Sequence, residues 1–224
     1  MALHLYIGNK NYSSWSFRPW IALKVANIPF EETVISLNAP DFKPRLLAIS
    51  GTGKVPTLID GEVKIWESLA ILEYLAESFP MAGLWPGDPK ARAHARAISN
   101  EMHAGFVPLR KHYPMNFWRP VKPRPAEADV AANVKRIDAI WSDCRARFGK
   151  GGPFLFGTFT AADAMYAPVV SRFVTYAIDV SPDSRAYMDA MTALPAWAEW
   201  KAAALKEEWV LPEDEVDWPT VLRV

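Results

Sequence analysis

Three things are scarce in this 224-residue sequence: cysteine, surplus charge and long apolar runs. Cys144 is the only cysteine, so no disulfide can form within the chain, and a reducing, cytoplasmic location is expected. Basic and acidic residues number 25 each, which leaves no basic excess for a nucleic-acid partner. No run reaches about 18 apolar residues, and the N-terminal segment lacks the pattern of a signal peptide, so no membrane association is expected.

The first eighty residues alternate strand and helix patterns. Strands are predicted at residues 3–8, 30–37, 55–60 and 62–67, the last two joined by a tight Asp60-Gly61 turn. Helices are predicted to begin between Ser16 and Pro19, and to cover residues 42–50 and 68–80. Helices between the early strands imply parallel crossovers, and the turn adds an antiparallel hairpin. This order is typical of a thioredoxin-like domain.

The strand patterns stop after residue 80. Residues 81–90 (MAGLWPGDPK) are rich in proline and glycine, as linkers are. Beyond them, apolar residues at helical spacing predict helices over 90–113, 126–148, 161–177, 183–192 and 195–209. We therefore expect an α/β thioredoxin-like domain over residues 1–80, a linker over 81–90 and an all-α domain over 91–224.

The loop after the first strand lacks the thiol that redox chemistry needs there. A redox thioredoxin-like domain carries a thiolate at this place, often as Cys-x-x-Cys. Here residues 11–19 read NYSSWSFRP, with Ser13 and Ser14 followed by Trp15. Cys144 instead falls on the apolar stripe of the helix predicted over 126–148, so we expect a packed, unreactive thiol.

Two further segments suit a peptide-like ligand. A cis bond is expected between Val55 and Pro56, which would present backbone N–H and C=O groups beside the serine loop. Ser68 is expected to cap the helix that comes after it, whose free N–H groups can also hold a carboxylate. Glu67 can hold an ammonium group, so the two residues suit the head group of an amino acid.

Together, these motifs resemble the cytosolic glutathione S-transferase superfamily. The segments are YSSWSFRPWIAL, GTGKVPTLID and IWESLAILEYLAESFP, then a linker and a helical domain, so the resemblance covers the whole chain. Thr160 and Asp163 resemble the capping box and buried aspartate of that family's second domain. The serine loop is most similar to the serine-type, theta-like and zeta-like branch. The resemblance implies a transferase with glutathione as co-substrate, no metal and a homodimer.

The resemblance also implies which hydroxyl meets the glutathione sulfur. Ser13 takes the catalytic place as a hydrogen-bond donor, with Ser14 next and Tyr12 a weaker alternative. The zeta pattern has a cysteine where this chain has Trp15. That departure argues against thiol exchange and against zeta-type isomerase activity.

Other residues follow from the same resemblance. Lys54 and Val55 would line the cysteinyl-glycine part of glutathione, and Glu67 and Ser68 would hold its γ-glutamyl end. A small apolar electrophile is expected between the domains, in a pocket whose candidate residues are Met102, Phe106, Met115, Trp118 and Tyr166.

Two alternatives to the transferase stay open. A glutathione-dependent isomerase or lyase, like maleylacetoacetate isomerase, would act on a small diacid and predicts basic residues in the pocket. Arg18, Arg110 and Lys111 are available for that role. A non-catalytic interaction protein of the same fold is the third possibility. A serine hydrolase is not favoured, because no Gly-x-Ser-x-Gly motif is present.

Overall fold

A four-stranded mixed sheet forms the first part of the chain. The computed structural model describes residues 3–217. Its strands are β1 (Leu3–Ile7), β2 (Phe30–Val34), β3 (Thr57–Asp60) and β4 (Val63–Trp66). They lie in the order β2-β1-β3-β4, with β1 parallel to β2 and both the β1–β3 and β3–β4 pairs antiparallel. The predicted crossover and hairpin are therefore both present.

Three helices accompany the sheet, namely α1 (Ser14–Val25), α2 (Phe42–Ser50) and α3 (Ser68–Ser78). Helix α1 begins before the predicted start, so Pro19 lies inside it rather than in its first turn. Trp20 and Ile21, which come directly after that proline, are completely buried. Packing of this apolar segment outweighs the hydrogen bond that a proline removes from a helix.

Six α-helices make up most of the described chain after residue 82. They are α4 (Pro89–Ala104), α5 (Val107–His112), α6 (Ala128–Phe148), α7 (Ala161–Thr175), α8 (Pro182–Thr192) and α9 (Pro195–Ala204). The single helix predicted over 90–113 is wrong, because the chain breaks between α4 and α5. Phe106 there has a φ of 58°, and the Arg110 guanidinium donates to the carbonyls of His103 and Gly105.

Helix α7 is the centre of the molecule. It is buried along almost its whole length and packs against α1, α4 and α8. Its start carries the predicted capping box, in which the Asp163 carboxylate accepts the Thr160 N–H at 2.7 Å and the Thr160 hydroxyl at 2.8 Å. Because α1 leads directly from the serine loop, this packing fixes that loop against the helical part.

Aromatic rings join the two parts of the chain. Phe17 of α1 stacks on Trp200 of α9 with ring centroids 4.7 Å apart, and Trp20 lies 5.0 Å from the same ring. Cys144 is fully buried in α6, and burial raises the pKa of its thiol to about 12. The expected packing of Cys144 in the core is confirmed. None of the helices within residues 3–217 combines the length and the apolar character that a bilayer span requires.

Candidate active site

A cavity of about 560 Å3 opens where the serine loop faces the segment before β3 and the start of α3. It brings together the six residues that were expected at a glutathione site, namely Ser13, Ser14, Lys54, Val55, Glu67 and Ser68. The helical part of the chain adds Arg110, Pro114, Met115, Arg172 and Asp214 to the lining. Residues more than a hundred positions apart therefore share one site.

The serine loop is held by hydrogen bonds that place both Ser13 and Ser14 in the cavity lining. Asn9 Oδ1 accepts the Leu37 N–H at 2.7 Å, and the Asn9 carbonyl accepts the N–H groups of Tyr12 and Ser13. Ser13 is thereby placed at the N-cap of α1, and Ser14 is the first helical residue. The positive end of the α1 dipole points to this part of the cavity, where it stabilises an anion.

The Val55–Pro56 peptide bond is cis, as predicted. Strand pairing begins only at Thr57, and within residues 3–217 the N–H and C=O of Val55 have no hydrogen-bond partner. The Thr57 hydroxyl donates to the carbonyl of Lys54 at 3.1 Å, which holds the bend before the strand. An extended ligand can therefore pair with Val55 as an added strand.

The start of α3 differs from the expectation for Ser68. Glu67 is the N-cap, with a φ of 66°, and Ser68 is the first residue of the helix rather than its cap. The Ser68 hydroxyl is buried and accepts a long hydrogen bond from Arg18 Nη1 at 3.4 Å. The Glu67 carboxylate is half-exposed, 3.5 Å from His103 Nε2. Glu67 thus offers a carboxylate at the cavity edge.

Arginine side chains surround this cavity. Arg18 is completely buried, and its Nε and Nη2 have no partner among the described residues. Burial, and then the charges of Arg110 and Arg172, lower its pKa. Two guanidinium groups lie over the ring of Trp15, that of Arg18 at 4.2 Å and that of Arg110 at 4.9 Å from the ring centroid. Two of these cations, Arg110 and Arg172, reach the lining, so the cavity favours an anionic ligand.

The segment from Leu205 to Asp217, which we call the C-terminal strap, lies against the serine loop. The Glu207 carboxylate accepts the N–H groups of Lys10 at 2.6 Å and Asn11 at 2.9 Å. The Tyr12 hydroxyl donates to Glu215 at 2.6 Å. Carboxylates of the strap therefore fix the backbone and the tyrosine immediately before Ser13.

The strap also brings one acid to the cavity. Asp214 lines it, and burial raises the pKa of this carboxyl to about 6, against the opposing effect of Arg172. Burial lowers the pKa of Arg172 to about 10. The Arg172 Nε donates to the Tyr113 carbonyl at 2.7 Å, which fixes the side chain in place. The far wall of the cavity is therefore polar and charged.

Of the five residues expected to form an apolar electrophile pocket, the structure brings only Met115 to the cavity. Met102, Phe106, Trp118 and Tyr166 are buried outside its lining and correct that expectation. The Tyr166 hydroxyl donates to the Ile98 carbonyl, and the Trp118 Nε1–H donates to that of Ala204. Met102, Phe106 and Tyr166 pack in the main hydrophobic core, whereas Trp118 packs against Tyr12 and Leu211.

No local pattern in the sequence indicates Arg172 or Asp214 as site residues. Arg172 lies within a buried helix, and Asp214 lies in an acidic stretch that is typical of exposed surface. Only the tertiary fold brings them to the serine loop. In the described part of the chain, His, Cys, Asp and Glu side chains form no group of three that could hold a metal ion.

Known proteins resemble this chain over both parts. The family model described as Glutathione S-transferase, N-terminal domain, matches residues 12–78, and that described as Glutathione S-transferase, C-terminal domain, matches residues 127–203. Maleylacetoacetate isomerase of Rattus norvegicus is 30% identical over 175 residues, which cover 76% of this chain and 78% of that protein.

Two further similarities are informative. A probable maleylacetoacetate isomerase of Caenorhabditis elegans is 47% identical over 98 residues, so the match covers 43% of this chain and less than half of that protein (45%). The holo structure of a bacterial maleyl pyruvate isomerase in the zeta class has a TM-score of 0.69 and 25% identity. It covers 89% of this chain and 97% of that one.

The incompletely paired guanidinium of Arg18 gives a stability prediction. Replacing a buried charge that has no carboxylate partner by an apolar side chain is often stabilising, so Arg18→Met is expected to raise the free energy of unfolding by about 1–2 kcal/mol. The matched control is Arg119→Met, because the buried Arg119 is paired with Asp217 at 3.0 Å through two nitrogens.

The control is expected to lose about 2–4 kcal/mol. Urea unfolding followed by tryptophan fluorescence measures both changes. Equal destabilisation by the two substitutions would contradict the prediction, because it would show that the Arg18 guanidinium is stabilised by its surroundings as well as that of Arg119.

Proposed function

The chain belongs to the cytosolic glutathione S-transferase superfamily, and we propose that it ionises the thiol of bound glutathione and adds the sulfur to a small electrophile. The observation that carries this proposal is the placement of Ser13. Its hydroxyl lies at the N-terminus of α1, in the cavity that also holds Val55 and the start of α3. The two family models support the same activity.

Glutathione fits the groups around the cavity. The free backbone of Val55 pairs with the cysteinyl residue, and this pairing directs the sulfur toward the serine loop. Lys54 lies beside the cysteinyl-glycine part. Glu67 receives the γ-glutamyl ammonium group, and the N-terminus of α3 with Ser68 receives its carboxylate. The buried Arg18 next to Ser68 adds positive charge at that end.

One hydroxyl is sufficient for the required activation. A free thiol with a pKa of about 8.5 is only about 3% ionised at pH 7, and the thiolate is the nucleophile. Lowering the pKa to about 6.5 raises that fraction to about three quarters and requires about 2.7 kcal/mol. A hydrogen bond to a charged sulfur supplies about 1.5–3 kcal/mol, and the helix N-terminus about 0.3–1 kcal/mol. Ser13 therefore acts as a donor, and no general base is needed.

A second function, isomerisation of a small cis diacid, is favoured by the charged cavity wall. Arg110 and Arg172 line the cavity, as this alternative requires, whereas Arg18 is buried behind Trp15 and Lys111 is exposed outside the lining. In this reaction the thiolate adds to a cis double bond, the adduct rotates about the resulting single bond, and expulsion of the thiolate regenerates glutathione. The rat relative is named for such an isomerase activity.

We also propose that two copies of the chain form a homodimer in the cytoplasm. Large apolar side chains remain exposed on β4 and after α3, namely Val63 (47%) and Met81 (96%). A two-fold dimer would cover such a surface. Each subunit would hold a glutathione-binding domain over residues 1–80, a linker over 81–90 and a substrate domain over 91–224.

Substituting Ser13 tests the proposed function. Ser13→Ala is expected to raise the pKa of the bound glutathione thiol by about 1–2 units, because the charged hydrogen bond is lost. At about pH 5.5, where the bound thiol is protonated in both proteins, affinity for glutathione should change less than about twofold, since Val55, Glu67 and Ser68 remain. Ultraviolet absorbance of the thiolate across a pH titration gives the pKa. Ser14→Ala is the matched control, and a pKa change confined to that variant would assign the donor role to Ser14.

Substituting Arg110 separates the two functions. Arg110→Met is expected to lower the turnover of a maleyl-type diacid by about 10–100-fold, because a charge-assisted contact to a carboxylate is lost. Turnover of a neutral aryl halide should change less than about threefold. Lys111→Met, one residue along and exposed, is the control. An isomerase role is excluded if wild-type protein leaves the diacid unchanged.

The oligomeric state tests the homodimer. Gel filtration over a dilution range is expected to give twice the chain mass of 25.1 kDa. Val63→Asp should shift elution toward the monomer, because it buries a charge in the interface. Elution of the wild type at monomer mass at every concentration would contradict the proposal.

A further inference from the structure

Ser16 is a buried serine directly beneath the proposed activator. It lies in the first turn of α1, is completely buried and is not part of the cavity lining. Its Oγ is 2.7 Å from Ser13 Oγ, and it accepts the N–H of Gly8 at 3.1 Å. The Ser16 hydroxyl therefore connects the backbone at the end of β1 to the Ser13 side chain.

The number of hydrogens on the Gly8 N–H and the two hydroxyls limits the directions in which their hydrogen bonds can run. Each serine hydroxyl carries one hydrogen, and the Gly8 N–H can only donate. If Ser13 donates to Ser16, the only Ser13 hydrogen points away from the cavity. If Ser16 donates to Ser13, the Ser13 hydrogen is free to bond a ligand. A negative sulfur at the cavity selects the second arrangement, because it needs a donor.

The close packing of Gly8 supports this arrangement. A Cβ at residue 8 would lie 2.7 Å from Leu37 Cδ2 and 3.2 Å from Ser13 Cβ. A side chain at residue 8 would have to displace Leu37 and would crowd Ser13, so a glycine keeps the backbone N–H within reach of the Ser16 hydroxyl. The first donor of the chain is thus a backbone group that close packing holds in place.

We propose that Ser16 is a positioning residue that orients Ser13 toward the glutathione sulfur, through the sequence Gly8 N–H to Ser16 to Ser13 to sulfur. This inference rests on the proposed function. Each bond polarises the next, so the Ser13 hydroxyl becomes a stronger donor than an isolated serine. Ser16 itself never touches the ligand.

A pH titration distinguishes this role from a purely structural one. Ser16→Ala is expected to raise the pKa of the bound glutathione thiol by about half a unit, while Ser13 stays in place. Turnover should then fall about threefold near pH 6 and change little near pH 8, where the thiol is ionised in both proteins. Ser99→Ala is the control, because Ser99 is equally buried and has an Oγ without a partner among the described residues.

A double variant sharpens the test. If Ser16 acts only through Ser13, adding Ser16→Ala to Ser13→Ala should leave the thiol pKa where the single Ser13→Ala variant puts it. A further rise of the thiol pKa in the double variant would overturn the proposed relay, by which we mean the chain of hydrogen bonds from Gly8 through Ser16 to Ser13. An unchanged thiol pKa in Ser16→Ala would overturn it as well.

The experiment also separates failure of the relay from failure of the proposed function. A wild-type protein whose bound thiol titrates like free glutathione would remove both proposals. A lowered wild-type pKa that responds to Ser13→Ala but not to Ser16→Ala would remove the relay alone. If Ser16→Ala does not fold, Ser16→Gly removes the same hydroxyl without adding volume, and an unchanged glutathione thiol pKa in that variant overturns the proposal equally.

Discussion

The proposed hydrogen bond from Ser13 to a sulfur anion is the interaction on which the rest of this site depends. A single hydroxyl can shift a thiol pKa by about two units only if it is already oriented, because turning it costs part of the same free energy. The fold supplies that orientation from three directions. Asn9 closes the loop, Glu207 holds the preceding backbone, and Ser16 lies beneath the hydroxyl. The proposed chemistry of the first part of the chain therefore depends on a contact from the second part, namely that of Glu207.

The positive charges at the site lower the stability of the folded protein. Arg18 is fully buried without a carboxylate partner, and Arg110 and Arg172 add like charge nearby. Such an arrangement costs folding free energy until an anion binds. Glutathione carries two carboxylates and becomes more negative when its thiol ionises, so the same cations that destabilise the empty protein favour the bound, ionised ligand. The Trp15 ring contacts two of the guanidinium groups and offers each of them a cation–π interaction.

The sequence was most informative where a short segment determines its own geometry. The Asp60-Gly61 hairpin, the cis Val55–Pro56 bond and the capping box of Thr160 and Asp163 all depend on neighbouring residues, and all are present. It was misleading at Ser68, because the left-handed backbone of Glu67 moves the cap back by one residue. The break at Phe106 depends on contacts made by Arg110, which helical periodicity does not contain.

The residues that contact the electrophile could not be predicted from the sequence for a related reason. Met102 and Tyr166 have the same helical spacing whether they line a pocket or pack a core. Arg172 and Asp214 reach the cavity through the central helix and the C-terminal strap, so the charged wall that they form could be found only from the fold.

That charged wall bears on the relation between the two candidate activities. Transfer and isomerisation share their first step, in which the thiolate attacks an electron-poor carbon. They differ in the fate of the adduct, because an adduct that can expel the sulfur regenerates glutathione and one that cannot remains a conjugate. A donor chain that stabilises the thiolate also makes it a better leaving group, so the Ser13 loop serves both outcomes equally. The choice therefore lies with the electrophile, and Arg110 and Arg172 favour one that carries a carboxylate close to the reacting carbon.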